Sequence, residues 1–582
     1  MRIFDIRRSA PALAALLSLT VTVARAQTPE PDYYTYPVLG VAGLCSANFG
    51  EMRPDHFHSG IDIKTDGVEG KRVVAAADGY VSRIADKPSG YGRALYIVHP
   101  NGTTSVYGHL SAFRNDIDSI VTAERYRSKR NSIDIFLREG EITVARGETI
   151  ALSGNTGNSF GPHLHFEIRD SRTQRTLNTI AHGLIDVRDT IPPIICGLHY
   201  VAIDSTGRVP IRTQPQRIEI RRDRQGRYSV AKPVRVAPKG YFILETTDRK
   251  NDVHNRFGVY RVSESLDGET VFEYRMDGYT FDVSRYCNAV SCYPMQLSAR
   301  CEVIRLSALE GSRDEFYTVL QNRALITARS DEHRRIRIEA EDDCRNVSVL
   351  EFEIIGGAEP PHMPETEGAA VIDRNEPFEY DCGDIHISIP KKALYESAVF
   401  SCGITDMQVP ADSTITILSP VYEVMNAHTP LQTAATLSIK AFVPQNMQGK
   451  TALATISAKG KASYVGGEYR NGRVTARTRR FGKFYLAADT VPPSITPEFQ
   501  INGDLRKCKG LAFSVKDNFS GIKEYSASID GKWVPIDYSP VRGTMYHRFD
   551  HLHYARGMKH LLTLTVTDNC GNTATWRGEF IR

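Results

Sequence analysis

The run Ser153-Gly154-Asn155-Thr156-Gly157-Asn158-Ser159-Phe160-Gly161-Pro162-His163-Leu164-His165-Phe166-Glu167 constrains this 582-residue chain more than any other segment. Its last five residues alternate polar with apolar, a period of two that predicts a strand with one buried face. His163, His165 and Glu167 then share the opposite face. Upstream, His58-Ser59-Gly60-Ile61-Asp62 sets an imidazole and a carboxylate on either side of a glycine, whose backbone freedom predicts a sharp turn that brings them together. Between the two lies Tyr107-Gly108-His109-Leu110, which closes a predicted strand on which Tyr107 and His109 share one face. Two neutral imidazoles and one carboxylate drawn from these segments form a three-ligand set. Its fourth tetrahedral position stays open to water, the pattern of catalytic rather than structural zinc.

The order HxGxD, YxHL, GxTGxSxGPHLHFE resembles that of the lysostaphin/LytM-type zinc metallopeptidases, which cleave peptide cross-bridges of bacterial cell walls. The resemblance spans roughly residues 40–170. It implies one zinc ion held by His58, Asp62 and His165, with His109 and His163 as the catalytic pair beside it. Every metal-binding position of the pattern is kept, unlike in the silent members that only activate other wall hydrolases. No HExxH occurs, so the glutamate base of that protease class is missing. One of His109 and His163 then takes the proton of the attacking water while the other stabilises the oxyanion, and the sequence does not say which. Glu167 is expected to orient a ligand histidine, His56 to be a loop residue, and His99, before Pro100, to be exposed. The glycines at 154, 157 and 161 lack a following GK[ST], which excludes a phosphate loop.

Residues 1–26 read as a secretory signal peptide: Arg2, Arg7 and Arg8, an apolar run from Leu13 to Val23, then Ala24-Arg25-Ala26. No later segment approaches about eighteen apolar residues, so no membrane span is expected. An exported protein, periplasmic or secreted, follows. The formal net charge of +4 includes four arginines and one aspartate from that leader, so the remainder is nearly neutral and carries no basic stripe for nucleic acid. Ten cysteines in an exported chain predict disulfides. Cys508–Cys570, Cys196–Cys344 and Cys382–Cys402 are the expected pairs.

The pattern is mainly β: an antiparallel metallopeptidase core followed by β-sandwich modules. A zinc peptidase domain is expected over 27–186, with a helical insertion at about 112–144 that either covers one end of the substrate groove or braces a neighbouring module. Immunoglobulin-like sandwiches are expected over 187–356, with an insertion near 287–323, and over 489–582. They share an opening, Asp189-Thr190-Ile191-Pro192-Pro193 and Asp489-Thr490-Val491-Pro492-Pro493. They also share an ending, in which Asp342, Cys344 and Asn346 align with Asp568, Cys570 and Asn572. Residues 357–488 read as a third sandwich of uncertain family. Together these features favour a wall endopeptidase acting on peptidoglycan stem peptides or cross-bridges, with envelope contacts made through the sandwiches. A silent regulator of other hydrolases and a glycan-binding adhesin are the alternatives.

Overall fold

The computed structural model describes residues 32–203, 215–359, 370–410, 414–550 and 553–582. The leader expected over residues 1–26 lies outside them. Among the described residues, no helix is long and apolar enough to cross a membrane. The protein is mainly β, built from antiparallel sheets.

The first body is a ten-stranded sheet. Its main path runs Cys45–Ala47, Ile61–Lys64, His163–Asp170, Thr103–Leu110, Arg93–Val98, Gly79–Asp86 and Ile133–Phe136. A small sheet of Arg72–Val74, Thr149–Leu152 and Ala112–Phe113 completes it. Ile61, Ile63, Leu164, Phe166, Ile168 and Tyr107 are fully buried beneath the main sheet, so burial of alternate residues fixes which side chains face away from the core. The strand His163–Asp170 is central, with His165 opposite Asp62 on one side and Gly108 on the other.

The inserted helix Asn115–Ser128 begins with Asp116 and Asp118 and ends with Arg125 and Arg127, charges that complement its dipole. Lys129, at φ 52°, closes it in the left-handed region. The apolar stretch after it forms the strand Ile133–Phe136, paired to Gly79–Asp86. This insertion packs on the C-terminal module. Arg93 and Arg125 both pair with Asp537, at 2.5 and 2.6 Å, Tyr126 stacks on His553 at 3.6 Å, and Asn131 bonds the backbone of Tyr525 and Ile536. Of the two expected roles, the brace is the one this packing supports.

Residues beyond 187 form three further two-sheet bodies. Five- and eight-stranded sheets enclose Phe242, Leu244, Ile336, Ile338 and Phe352. Five- and six-stranded sheets enclose Leu437, Ile439, Phe484 and Leu486. Two four-stranded sheets at the C-terminus enclose Phe513, Leu562, Leu564 and Phe580. The two aligned endings occupy equivalent places: His333–Glu341 turns into Val347–Gly356 as Lys559–Asp568 turns into Thr573–Ile581.

The cysteines depart from expectation. All ten carry free thiols. Cys570 lies just before the nine-residue strand Thr573–Ile581, whose far end pairs with Asp504 and Leu505 near Cys508; at about 3.3 Å per residue the two are roughly 30 Å apart. Cys196 sits against Cys301 rather than Cys344, whose thiol donates to the Val187 carbonyl. Only Cys382 and Cys402 lie side by side as expected.

Candidate metal centre and active site

Three side chains converge at one end of the central strand. His58 Nε2 lies 3.1 Å from His165 Nδ1 and 3.1 Å from Asp62 Oδ1, and His165 Nδ1 lies 3.0 Å from the same carboxylate oxygen. The protons of both rings are engaged elsewhere. His58 donates through Nδ1 to the Asn48 carbonyl at 2.8 Å, and His165 through Nε2 to Glu167 Oε1 at 2.7 Å. In the neutral rings the two facing nitrogens are therefore lone pairs, directed at each other and at a carboxylate. Three acceptors this close repel unless a cation lies among them. A tetrahedral zinc, with ligands at about 2.0–2.1 Å, separates its donor atoms by roughly 3.3 Å. The residues fit the metal.

The ionisation of the corner follows from the same crowding. Burial opposes the charge on Asp62, but His58, His163 and His165 hold its carboxyl well below the usual range. Burial also disfavours a charged His165, yet hydrogen bonds to Asp62 and Glu167 carry it up to about 9.

Glu167 is fully buried and accepts from His165, Arg169 at 2.6 Å, Ser59 at 2.7 Å and Tyr91 at 2.6 Å. Burial raises its carboxyl, but Arg169 and His165 hold it below the usual range. It lies behind His165, on the side away from Asp62, and fixes that ring's tautomer.

His163 and His109 stand beside the three. His163 donates through Nδ1 to the Gly161 carbonyl at 2.8 Å, and its Nε2 is 3.5 Å from Asp62 Oδ1. His109 donates through Nδ1 to the Thr156 carbonyl at 2.7 Å, and its ring centre lies 4.7 Å from that of His163. Burial, with His163 and His165 beside it, presses His109 down to about 3, which keeps it neutral. With Nδ1–H engaged, the neutral form of each ring offers Nε2 as an acceptor.

Two local expectations need correction. Tyr107 and His109 do not share a face. Tyr107 pairs opposite Phe166 in the core, whereas His109 sits with the other histidines. A register shift between Arg93 and Leu95, opposite Tyr107–Leu110, and a left-handed backbone at His109, φ 61°, turn its ring across. Such a conformation costs about 1–3 kcal/mol in a non-glycine residue, strain that rigid surroundings retain at functional sites. Gly60 lies at the expected bend, and a Cβ there would lie 2.3 Å from the Phe166 carbonyl oxygen, so close approach of two strands also excludes any side chain. His99 is buried, bonded to the Asp78 carbonyl and Ser105. His56 bonds only its neighbour Asp55 and stays out of the cluster.

The site opens into a groove of about 1420 Å³ whose lining includes residues far away in sequence: Phe281 and Arg285, Arg479, and Val541. No residue of the helical insertion lines it. These wall residues carry no motif, and their role was not readable without the packing of the modules.

Residues 56–126 and 129–178 match Peptidase family M23. This part of the chain is similar to the metallopeptidases of that family. Residues 369–489 match a Zu5-like domain, which supplies a family for the third sandwich. An uncharacterized metalloprotease of Haemophilus influenzae is 38% identical over 118 residues, 20% of this chain and 19% of that protein. The DD-carboxypeptidase/endopeptidase Mpg of Neisseria meningitidis serogroup B is 36% identical over 112 residues, 19% of this chain and 20% of that one. The chain thus spans about a fifth of the length of these curated relatives. Among solved structures, a zinc-containing peptidase from Vibrio cholerae is 26% identical, covers 27% of this chain and 41% of its own, and has a TM-score of 0.20. The similarity to the curated relatives bears on the M23 domain and leaves the other modules to be argued from their own residues.

Proposed function

We propose that the protein is an exported zinc metalloendopeptidase that hydrolyses peptide cross-links of bacterial peptidoglycan. The observation that carries this reading is the corner of His58, Asp62 and His165, in which three acceptors face one another at 3.0–3.1 Å with both imidazole protons tied to other partners. Zinc held there lowers the pKa of a water to about 7 and polarises the scissile carbonyl. His109 and His163 are the catalytic pair. Each has its Nδ1–H fixed to a backbone carbonyl, so each accepts at Nε2. The ring that takes the water's proton there gains an N–H able to donate to the oxyanion. Glu167 holds His165 in the tautomer that leaves Nδ1 free for the metal. Phe281, Arg285, Arg479 and Val541 wall the groove in which an extended peptide lies.

Peptidoglycan is favoured as substrate because the N. meningitidis relative is named a DD-carboxypeptidase/endopeptidase, and export is favoured by the leader pattern at residues 1–26. The reading is tested by metal analysis of the purified protein together with turnover of purified peptidoglycan. One zinc per chain with soluble peptide products is expected. Stoichiometric zinc without turnover would replace the enzyme with a binding or regulatory protein.

A further inference from the structure

The two modules that share their opening and ending sequences each bring three aspartates together. In the first these are Asp189, Asp248 and Asp342; in the last they are Asp489, Asp517 and Asp568. In each set one oxygen of every carboxylate lies within 4.8 Å of the others. The positions correspond: the first aspartate opens the shared proline motif, the second ends an inner strand, and the third opens the shared Asp-x-Cys-x-Asn turn.

What differs is the charge beside them. In the first module Lys250, two residues after Asp248, is buried. Its ammonium ion-pairs with Asp343 and lies 3.7 Å from Asp248 and 3.8 Å from Asp189. A cation is thus built into that cluster by covalent structure. In the last module the corresponding residues are Phe519 and Asn569, and neither brings a charge. Phe519 turns away to pack on Tyr464 of the neighbouring module, ring centres 5.9 Å apart.

Both clusters hold buried carboxylate oxygens without a hydrogen-bond partner. In the first these are Asp189 Oδ2 and both oxygens of Asp248, which Lys250 faces at 3.7–3.8 Å, whereas in the last no such ammonium stands in the corresponding place. Asp489 and Asp568 are fully buried. Asp568 is tied by the Asn572 backbone and side-chain N–H groups at 2.8 and 2.7 Å. Asp489 Oδ2 and Asp517 Oδ1, however, are buried with no hydrogen-bond partner. Buried carboxylate oxygens without a partner are costly, and three anionic groups in one pocket compound the cost unless a cation joins them. An all-carboxylate donor set suits a hard divalent ion, calcium in class, over zinc or copper.

We propose that Asp489, Asp517 and Asp568 form a calcium-type divalent cation site, and that Lys250 does the corresponding work in the first module. The placement gives the ion a task. Asp489 ends the strand Gly482–Asp489 of the Zu5-like module, where it pairs with Ile415, whereas Asp517 and Asp568 belong to the C-terminal sandwich. One ion would therefore clamp two modules that both contribute residues to the wall of the catalytic groove, Arg479 and Val541.

Equilibrium dialysis of the full zinc-loaded chain against radioactive Ca²⁺ tests this. One bound Ca²⁺ per chain is expected, with a Kd of about 0.1–1 mM as in extracellular modules, and with a rise in Tm that grows with Ca²⁺. Asp517→Asn should abolish both, and Asp248→Asn should leave both unchanged. Absence of binding to the wild-type chain at several times that concentration overturns the proposal whatever the variants do. Retained binding in a folded Asp517→Asn chain, or loss only in Asp248→Asn, overturns the assignment to the last module. Two ions per chain overturn the role given to Lys250.

Discussion

The metal corner and the walls of the groove beside it are built in opposite ways. Every residue of the corner comes from two short segments, His58–Asp62 and the strand His163–Asp170, and its geometry is set by strand pairing: His165 opposite Asp62 in register, with Gly60 making room for the neighbouring strand. The walls combine the peptidase domain's own loops, such as Arg53–His56 and Asn158–Pro162, with Phe281, Arg285, Arg479 and Val541 from three other modules. Chemistry in this molecule is local, and access to it is distributed. A mutation in the corner should therefore remove activity outright, whereas one in a wall should alter which substrate is accepted.

The sharpest way to break that contrast is His165→Ala, which should abolish zinc retention and hydrolysis together; metal analysis and peptidoglycan turnover check it. His109→Ala should keep most of the zinc while turnover falls by about 10²–10⁴-fold, the usual contribution of a positioned acid or base. Loss of stoichiometric metal in that variant would move His109 among the ligands. Glu167→Gln leaves the corner intact but loosens the tautomer of His165, and a fall of about 10–100-fold in zinc affinity is expected by metal titration.

Asp537→Asn removes the carboxylate between Arg93 and Arg125. The site is partly open, so the loss of stability by denaturant unfolding should lie below the about 3–5 kcal/mol of a fully buried pair, with zinc content unchanged. The same contact responds to pH. Burial works against its charge, but Arg93 and Arg125 lower Asp537 to about 2, beneath the roughly 3.9 of an unfolded aspartate. Its contribution is thus complete above about pH 4 and is lost as pH falls towards 2. Hydrogen exchange of the helix Asn115–Ser128 should accelerate in that window. The smallest effect belongs to Val541→Asp, which should change KM several-fold on some stem peptides and leave zinc and Tm unaltered. A uniform loss of kcat there would contradict the division between corner and wall.

How much of this was legible beforehand follows the same line. The period-two alternation at His163–Glu167 gave a strand, its face and its place at the site, because side-chain direction in a strand is fixed by position alone. His109 was expected at the site through the family resemblance, whereas the expectation that it shares a face with Tyr107 fails because its left-handed backbone breaks the alternation. At Gly60 the expected bend is present, but the need to admit the neighbouring Phe166 carbonyl exists only once two strands are paired. The same limit explains the cysteines: Cys508 and Cys570 share a module, but a full strand separates them, and neither composition nor spacing records that length. Nothing local marks Arg479 or Val541 as groove residues, because what places them there is the docking of whole modules.

The central claim is that the corner of His58, Asp62 and His165 makes this chain a zinc-dependent peptidase of peptidoglycan. Mass analysis of muropeptides after digestion by the zinc-loaded protein, by the chelated protein and by the chelated protein resupplied with zinc tests it most directly. The account predicts cross-linked muropeptides converted to species heavier by one water per bond cut, no conversion after chelation, and recovery on zinc addition. An unchanged muropeptide profile with stoichiometric zinc in the protein, or conversion that survives chelation, would contradict it.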